Sequence, residues 1–478
     1  MHRTHLTELT AADASLLREE RGAAHMHVGG VAVFAGPSLP IDALREHVLR
    51  RLARIPRYRT VLVDPPLGLG RPRWAVDPTF NIEYHVRHTA LPAPGNLAEL
   101  RTAAARIFSQ RLDRTKPLWE LWVIEGLWDG GFALVTKSHQ ALVDGVVAMD
   151  LMTTLLDSEP DPPLDREEQR RWPALPSPTT AQLLAASATS AVRTAAGLPS
   201  RLARTVSSPS AAAARLRELV DSTNGRVVSR LSPAPASPLN VPIGTHRTLA
   251  YARVPVADLK RVKDRFGGTV NDVVLAAVAG AIRGWLLDRG TEVEGLELRA
   301  AVPVAIASTG SSEQARPITM LYAPLSVGEA DPLVRLSRVR HAMSTSLAAK
   351  RTVGADTWTA SSSFGVPSVL AQASRVPLAD RHFNVLVTNV PGPQAAMYLQ
   401  GRRLRHTLAV PFLSGDRALA IAATSYDGWV EFGLLGDQDK LPKIRLIAEG
   451  IEATVAELVE LAQPSSNGRR PPASPKAV

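Results

Sequence analysis

The chain of 478 residues contains no cysteine. Disulfides, thiolate metal sites and a cysteine nucleophile are therefore excluded, and the composition fits a reducing compartment. The sequence also lacks a Walker-type phosphate loop, zinc-finger spacing and an RNA-binding aromatic signature, so we expect no nucleic-acid partner. His25, His27, His85 and His88 do not have the spacing of metal ligands, and we predict no metal site.

Long apolar runs are missing as well. The first ten residues are polar, so we expect no signal peptide. The longest apolar stretches, such as Val273–Ile282, are shorter than the roughly 18 residues that a membrane-spanning helix needs. The sequence therefore predicts a protein that is soluble or bound at a membrane surface. Its net charge of +10 suits anionic lipid, an anionic substrate such as a CoA thioester, or solubility alone.

The composition predicts two folded domains and two segments of different character. Apolar residues make up 45% of the chain, enough for a sizeable core. We predict an α/β domain at 1–160, an Ala/Pro/Arg-rich crossover linker at 161–240, a second α/β domain at 241–462 and a disordered tail at 463–478. Within the linker, Gln182–Ala203 favours an Ala-rich helix. That helix either contacts anionic membrane or is a solvated part of the linker.

Local patterns predict the elements around the candidate site. Strands are predicted at Val28–Phe34, Phe132–Ser138, Thr248–Val256, Ala300–Ile306 and Phe383–Val390, with a hairpin formed by Ala418–Thr424, the Asp427–Gly428 turn and Trp429–Leu435. Helices are predicted at Ile41–Ile55, Val146–Leu156, Asn271–Leu287 and Leu441–Leu461.

One short segment combines residue types that carry chemistry. His139 ends a predicted strand, and Asp144–Gly145 precedes the next predicted helix. Histidine is the usual general base near neutral pH, and glycine allows a tight bend close to a ligand. The same residues also fit a purely structural role, with His139 hydrogen-bonded at a strand end and Asp144 capping the helix.

Residues 139–145 resemble the His-His-x-x-x-Asp-Gly motif of the bacterial wax ester synthase/diacylglycerol acyltransferase family. That family shares the motif with the wider CoA-dependent acyltransferase and condensation superfamily. Further segments resemble the narrower family in the same order along the chain: Leu9–Glu19 with His25–Gly29, Pro117–Leu127, Asn271–Ala276, Val302–Val304, Thr388–Pro393 and Ser425–Gly428. Together these segments extend over nearly the whole chain.

This resemblance implies an α/β fold of two similar chloramphenicol-acetyltransferase-like domains, joined by a crossover, with an interdomain tunnel. It implies an O-acyltransferase that takes acyl-CoA as substrate, needs no cofactor and esterifies diacylglycerol or a long-chain alcohol. Such a protein is expected in the cytoplasm, or held peripherally at the inner membrane or at lipid droplets. The implied site residues are His139, Gln140, Asp144 and Gly145 in the catalytic motif, with Asn271, Asp272, Asn389, Pro391 and Gly392 at the tunnel.

The catalytic motif departs from the family at one residue. In the family the second histidine removes the alcohol proton, whereas this chain has Gln140 there, and a glutamine amide does not titrate near neutral pH. Three interpretations are open. His139 acts as the base, or the protein binds its substrates but transfers acyl groups poorly or not at all, or Gln140 orients a substrate and proximity supplies a reduced rate. Ala305 and Gln314–Arg316 also differ from the family.

The second-domain segments have structural interpretations too. Asn271 and Asp272 are residue types that begin helices well. Pro391 and Gly392 suit a rigid turn after a buried strand. Trp119 is expected to pack in the core.

Overall fold

Two six-stranded sheets contain most of the strands. The computed structural model describes residues 6–66, 70–143, 151–163, 178–189, 233–305, 318–350 and 382–463. The strands are β1 (Thr7–Glu8), β2 (His27–Phe34), β3 (Thr60–Val63), β4 (Arg73–Val76), β5 (Val86–Ala90), β6 (Trp119–Glu125), β7 (Phe132–His139), β8 (Arg247–Pro255), β9 (Leu298–Ala305), β10 (Ile318–Leu325), β11 (Val385–Val390), β12 (Tyr398–Leu399), β13 (Arg402–Val410), β14 (Leu419–Tyr426) and β15 (Trp429–Asp437).

The first large sheet has the strand order β12-β13-β2-β7-β6-β5, and the second has the order β10-β9-β11-β14-β15-β8. A three-stranded sheet, β1-β4-β3, completes the arrangement. Every residue of β7 is buried, which fits a central strand that is covered on both faces.

Helices cover the sheets. They are α1 (Ala11–Glu19), α2 (Ile41–Arg51), α3 (Ile82–His85), α4 (Leu97–Ser109), α5 (Leu151–Leu155), α6 (residues 180–189), α7 (Val256–Phe266), α8 (Val270–Asp288), α9 (Pro332–Lys350) and α10 (Ile444–Ala462). Short 3₁₀ turns lie at Leu52–Arg54 and Pro56–Arg59.

The residues at the start of α4 explain why a helix begins there. The Asn96 side chain accepts hydrogen bonds from the N–H groups of Ala98 and Glu99, and the Glu99 carboxylate accepts one from the Asn96 N–H. This reciprocal capping box stabilises the first turn. Leu100, Ala104 and Phe108 recur every four residues and form part of the buried face of the helix.

Most of the predicted elements are confirmed. Strands β2, β7, β8, β9, β11, β14 and β15 lie where the patterns placed them, as do helices α2, α8 and α10. The β14–β15 turn has left-handed backbone at Asp427 and Gly428, with φ of 46° and 81°, as a tight hairpin turn requires. The predicted helix at 146–156 is described only from Leu151, and that at 182–203 only as far as residue 189.

The expectation about long apolar helices was wrong. Helix α8 is long and apolar enough, by length and composition, to cross a membrane. It lies in the protein core, with Val273–Ala279 almost wholly inaccessible to solvent. Because a core helix and a spanning helix share these properties, α8 is weak support for membrane insertion.

The first large sheet includes a strand, β13, from the C-terminal half of the chain. Strand β13 pairs antiparallel with β2, and Leu404, Leu408 and Val410 lie opposite Phe34, Val31 and Gly29. The buried side chains of β13 belong to the same apolar core as those of β2 and β7. The fold therefore joins two similar α/β halves, but one sheet uses strands from both. The predicted domain limits remain a prediction.

Candidate active site

Strands β2 and β7 bring two histidines face to face. His27 is the first residue of β2 and lies directly opposite His139, the last residue of β7. Directly opposed residues of antiparallel strands share one face of the sheet. The two buried rings are 6.3 Å apart in an edge-on arrangement, and His25 lies 5.5 Å from His27. These three histidines, with Glu20, are named the histidine cluster below.

The hydrogen bonding of His139 fixes where its proton is. The backbone N–H of Ala141 donates to His139 Nδ1 over 3.0 Å. Because a backbone N–H can only donate, Nδ1 carries the lone pair, and in the neutral ring the proton is on Nε2. Burial, with a smaller contribution from the charge of Arg114, lowers the pKa of His139 to about 3. His139 is therefore neutral near pH 7, and its one lone pair is already engaged.

Glu20 lies beside both strand histidines. It follows α1, and its side chain is buried. One carboxylate oxygen lies 3.7 Å from His139 Nε2, and the other lies 3.9 Å from His27 Nε2. Arg114 donates to Glu20 through Nε over 2.8 Å. Burial raises the pKa of Glu20, and hydrogen bonding and charge from Arg114 oppose the rise. The carboxylate therefore lies between a cation and the protonated nitrogen of His139.

Gln140 has no hydrogen bond to satisfy its side chain within the described part of the chain. Its backbone N–H donates to Met26 O over 3.1 Å, which holds the residue against the start of β2. The side chain is wholly buried, and both Oε1 and Nε2 lack partners there. A buried polar group without a partner costs about 1–3 kcal/mol. This amide is thus available for a polar atom of a ligand.

His27 is similar. Both of its ring nitrogens lack hydrogen-bond partners among the described residues. Burial holds its pKa well below the ordinary value, with Lys137 contributing next. His25, His27, Phe108 and Arg247 line a small cavity of about 10 Å³, close to the minimum for one water molecule.

Two of the predicted motif residues, Asp144 and Gly145, lie outside the described residues. Their roles stay predictions. His139 and Gln140 lie together at the end of β7, as predicted. Sequence reasoning missed Glu20, and it considered His25 and His27 as metal ligands and as part of a family-like segment, without placing them beside His139. The available signal was their spacing: His25 and His27 alternate at the start of a strand that pairs with the one ending in His139.

The second-domain residues belong to the other large sheet and its helix. The predicted helix start needs a correction, because α8 begins at Val270 and Thr269 is its N-cap. Asp272 completes a capping box with Thr269: its carboxylate accepts from the Thr269 N–H, and its own N–H donates to Thr269 Oγ1. Asn271 Oδ1 accepts a hydrogen bond from Asn389 Nδ2 over 3.3 Å. These contacts give both helix residues a structural role, and a tunnel role remains a prediction.

Pro391 and Gly392 follow β11. The Gly392 N–H donates to Ser425 Oγ over 3.0 Å. A Cβ atom on Gly392 would lie 2.3 Å from Ser425 O, so only glycine allows this close approach. Trp119 packs in the core as expected, stacked on His85 with ring centres 4.5 Å apart.

Comparison with solved structures identifies the class of fold. The wax ester synthase/diacylglycerol acyltransferase from Marinobacter aquaeolei VT8 superposes with a TM-score of 0.68 at 28% identity, covering 95% of this chain and 99% of that one. The first condensation domain of the CDA synthetase superposes with a TM-score of 0.52 at 18% identity, covering 96% of both chains. The fold is therefore that of the CoA-dependent acyltransferase and condensation proteins.

Sequence comparison identifies the family within that class. The wax ester synthase/diacylglycerol acyltransferase catalytic domain matches residues 9–274, and the corresponding C-terminal domain matches residues 317–459. The probable diacylglycerol O-acyltransferase tgs1 of Mycobacterium tuberculosis is 32% identical over 471 residues, covering 97% of this chain and 98% of that protein. A putative diacylglycerol O-acyltransferase of the same organism is 32% identical over 419 residues, covering 86% of this chain and 81% of that protein. The chain belongs to the wax ester synthase/diacylglycerol acyltransferase family, a family of acyltransferases.

Proposed function

We propose that this protein transfers a fatty acyl group from a CoA thioester to the hydroxyl of diacylglycerol or a long-chain alcohol. The observation that carries the proposal is the buried amide of Gln140, which has no partner among the described residues and lies beside the histidine cluster. Its segment resembles the family's catalytic motif and lies within the range that the catalytic domain matches. The names of the relatives support the substrates. In the reaction, the alcohol oxygen bonds to the thioester carbonyl carbon and the carbon–sulfur bond breaks. The products are an ester and the CoA thiol.

The geometry weighs against His139 as the base. Its lone pair accepts the Ala141 N–H, so an alcohol meets no free acceptor on this ring unless that bond breaks. Its low pKa also makes it a weak base. A glutamine amide both donates and accepts, so Gln140 is suited to hold the alcohol hydroxyl or the thioester oxygen in position.

We therefore infer that proximity and hydrogen bonding supply the rate, without general-base catalysis by residue 140. General-base catalysis typically contributes about 10²–10⁴-fold. The same observation supports an alternative function, in which the protein binds acyl-CoA or lipid and is catalytically impaired or inactive.

The Gln140→His substitution is the first prediction. Purified protein receives labelled palmitoyl-CoA with dioleoylglycerol or hexadecanol, and ester formation is measured beside Gln140→His, Gln140→Ala and His139→Ala variants. We expect slow transfer by the unmodified protein, a gain of about 10²-fold or more in Gln140→His, and a loss in Gln140→Ala.

Each other outcome has a distinct meaning. An inactive unmodified protein with an active Gln140→His variant supports the impaired homologue. Transfer that Gln140→His does not accelerate, and that His139→Ala abolishes, contradicts the proposal and assigns the base to His139. Failure of the unmodified protein to bind palmitoyl-CoA in calorimetry contradicts the proposed substrate.

We further propose that the protein works at the surface of the inner membrane or of lipid droplets. The support is its apolar substrates and its net charge of +10. Vesicle sedimentation tests this: binding to anionic vesicles should exceed binding to neutral vesicles and weaken between low and high salt. Equal binding to both vesicle types, unchanged by salt, would contradict an electrostatic attachment.

A further inference from the structure

Three loops meet at one end of the first large sheet. The N–H of Trp128, in the loop between β6 and β7, donates over 3.0 Å to Gly95 O, in the loop before α4. A Cβ atom on Gly36 would collide with Gly130 O, so the loop after β2 also lies against the β6–β7 loop. The surface that these contacts form is named the loop end below, and it consists of residues 35–38, 91–97 and 126–131.

The loop end exposes apolar side chains. Trp128 is 73% exposed, the largest exposed fraction of any large apolar side chain in the described part of the chain. Leu97, the first residue of α4, is 43% exposed. Four further apolar residues of the loop end are exposed: Pro37, Pro92, Ala93 and Pro94. Exposed apolar residues that gather at one place mark an interaction surface.

Two arginines border the loop end without a carboxylate partner. Arg402 Nε donates to Pro37 O over 3.2 Å, and its Nη1 donates to Gln400 O over 2.8 Å, so main-chain oxygens alone hold it among the described residues. Arg101 lies one turn after Leu97 on the same face of α4, and it forms no ion pair with any residue that the structure describes.

The carboxylates at this end are already engaged. Asp129, next to Trp128, accepts a hydrogen bond from Arg405. Glu125 Oε2 lies 3.0 Å from His88 Nε2, and Glu99 takes part in the capping box of α4. The two arginines of the preceding paragraph therefore remain available to an external anion.

A phospholipid surface matches this combination of groups. A tryptophan is favoured at the boundary between headgroups and hydrocarbon, because its ring is apolar and its N–H is polar. An arginine beside it can donate two hydrogen bonds to a phosphate. A protein partner fits less well, since a stable protein interface uses roughly 20–30 residues on each side, and the loop end offers six exposed apolar residues.

The loop end is remote from the histidine cluster. Strand β7 begins at Phe132, directly after the loop end, and ends at His139. At about 3.4 Å per residue, the two ends of this strand are about 24 Å apart. A substitution in the loop end can therefore alter attachment to a surface without altering the groups around His139.

We propose that the loop end docks onto an anionic phospholipid surface, with Trp128 and Leu97 among the headgroups and with Arg101 and Arg402 paired with lipid phosphates. This docking deepens the membrane attachment proposed above and rests on it. It holds the protein in one orientation at the surface that contains the diacylglycerol or long-chain alcohol.

Sedimentation with vesicles tests the docking. The vesicles contain dioleoylphosphatidylcholine and dioleoylphosphatidylglycerol in equal parts, or dioleoylphosphatidylcholine alone. We expect Trp128→Ser to weaken binding to the mixed vesicles by about tenfold. Leu97→Ser should also weaken it, whereas Leu461→Ser, at a leucine that is 45% exposed on α10, should not. Arg402→Gln should weaken binding by about fivefold on the mixed vesicles only, and exposed Arg18→Gln serves as its control.

Transfer assays separate docking from chemistry. Transfer from butyryl-CoA to hexanol, which are both soluble, should be the same in Trp128→Ser and in the unmodified protein. Transfer from palmitoyl-CoA to dioleoylglycerol in the mixed vesicles should fall by about tenfold in this variant, in proportion to the bound protein.

The other outcomes overturn the docking or the acyl transfer separately. Vesicle binding that Trp128→Ser leaves unchanged, or that Leu461→Ser weakens equally, overturns the docking and leaves the proposed acyl transfer standing. A dimer that Trp128→Ser dissociates in the absence of lipid, measured by light scattering, would assign the loop end to self-association and also overturn the docking. Absence of transfer by the unmodified protein to either acceptor contradicts the proposed acyl transfer, and sedimentation still decides the docking.

Discussion

The residue at position 140 determines how the proton of the acceptor alcohol is removed during acyl transfer. The two hydrogen-bonding atoms of Gln140 are buried without partners among the described residues, and neither can take a proton near pH 7. The neighbouring ring of His139 is neutral and has its lone pair engaged. Glu20 Oε2 lies 3.7 Å from His139 Nε2, a distance that is too long for a hydrogen bond. Neither Gln140 nor the engaged lone pair of His139 is therefore arranged to take a proton from the substrate.

A pH profile of the transfer rate tests this. Because the pKa of His139 is about 3, this ring stays neutral from pH 5 to pH 8, and the rate should be nearly flat there. The Gln140→His variant gains a base, which acts only when deprotonated, so its rate should rise with pH and then level off. A rise near pH 6 in the unmodified protein would show that a different group titrates during catalysis.

One buried lysine of strand β7 donates hydrogen bonds to the end of helix α4. Lys137 Nζ lies 3.1 Å from Glu120 Oε2, directly across the β6–β7 pair. It also donates to the carbonyls of Ile107 and Gln110 at the end of α4. Burial lowers the pKa of Lys137, and the charge of Glu120 raises it. One ammonium group thus holds the helix that bears Phe108 against the strand that bears His139.

Replacing this lysine should lower the free energy of unfolding. Lys137→Met removes one of the two cations that pair with Glu120, since Arg87 stays 3.3 Å from Oε1. It also removes the donor to the carbonyls of Ile107 and Gln110, and we expect a loss of about 1–3 kcal/mol in the free energy of unfolding. Urea denaturation measures the loss, with exposed Lys440→Met as control. The double variant Lys137→Met/Glu120→Leu should recover part of the loss. A single variant as stable as the control would show that Lys137 does not hold α4.

Local elements could be predicted because their signals are local. The short apolar run of β2 and the Asp427–Gly428 turn each depend on residues that are close in sequence. Two features of the site do not. Glu20 meets His139 only because the residue that follows α1 lies beside the end of β7, and β13 meets β2 across more than 360 residues. No periodicity within either segment indicates its partner, so the fold class could be predicted but the surroundings of His139 could not.

Buried histidines couple the stability of the whole molecule to pH. Burial lowers the pKa values of His25, His47 and His85 to about 4 and that of His139 to about 3. In the unfolded chain these groups bind protons near pH 6.5, so between the two values the unfolded state holds more protons. Their contribution is complete above pH 6.5 and is lost as pH falls towards 4.

The melting temperature measured between pH 7 and pH 4.5 tests this coupling. Each such group lowers the free energy of unfolding by up to about 1.4 kcal/mol per pH unit in that window. His47 donates from Nε2 to Leu155 O over 3.0 Å, a contact that a glutamine amide can replace. His47→Gln should therefore show a shallower fall in melting temperature than the unmodified protein or exposed His246→Gln. Identical slopes for all three would contradict the assignment.

The first large sheet takes β13 from the C-terminal half, and this determines whether the N-terminal half can fold on its own. In a chain that ends at residue 240, strand β13 is absent and the edge of β2 is left unpaired beside β7. The apolar core of that half also loses many buried side chains supplied by the C-terminal half, and four of the large ones are Leu404, Leu408, Val410 and Phe412. Their burial is worth about 6–12 kcal/mol, comparable with the roughly 5–15 kcal/mol that stabilises a whole domain.

We therefore expect residues 1–240 alone to lack cooperative unfolding and to aggregate through the exposed edge. Circular dichroism and light scattering measure both properties, and co-expression with residues 233–478 should restore a soluble complex because it supplies β13. A monomeric 1–240 fragment that unfolds cooperatively would mean that the first sheet is complete without the strand from the second half.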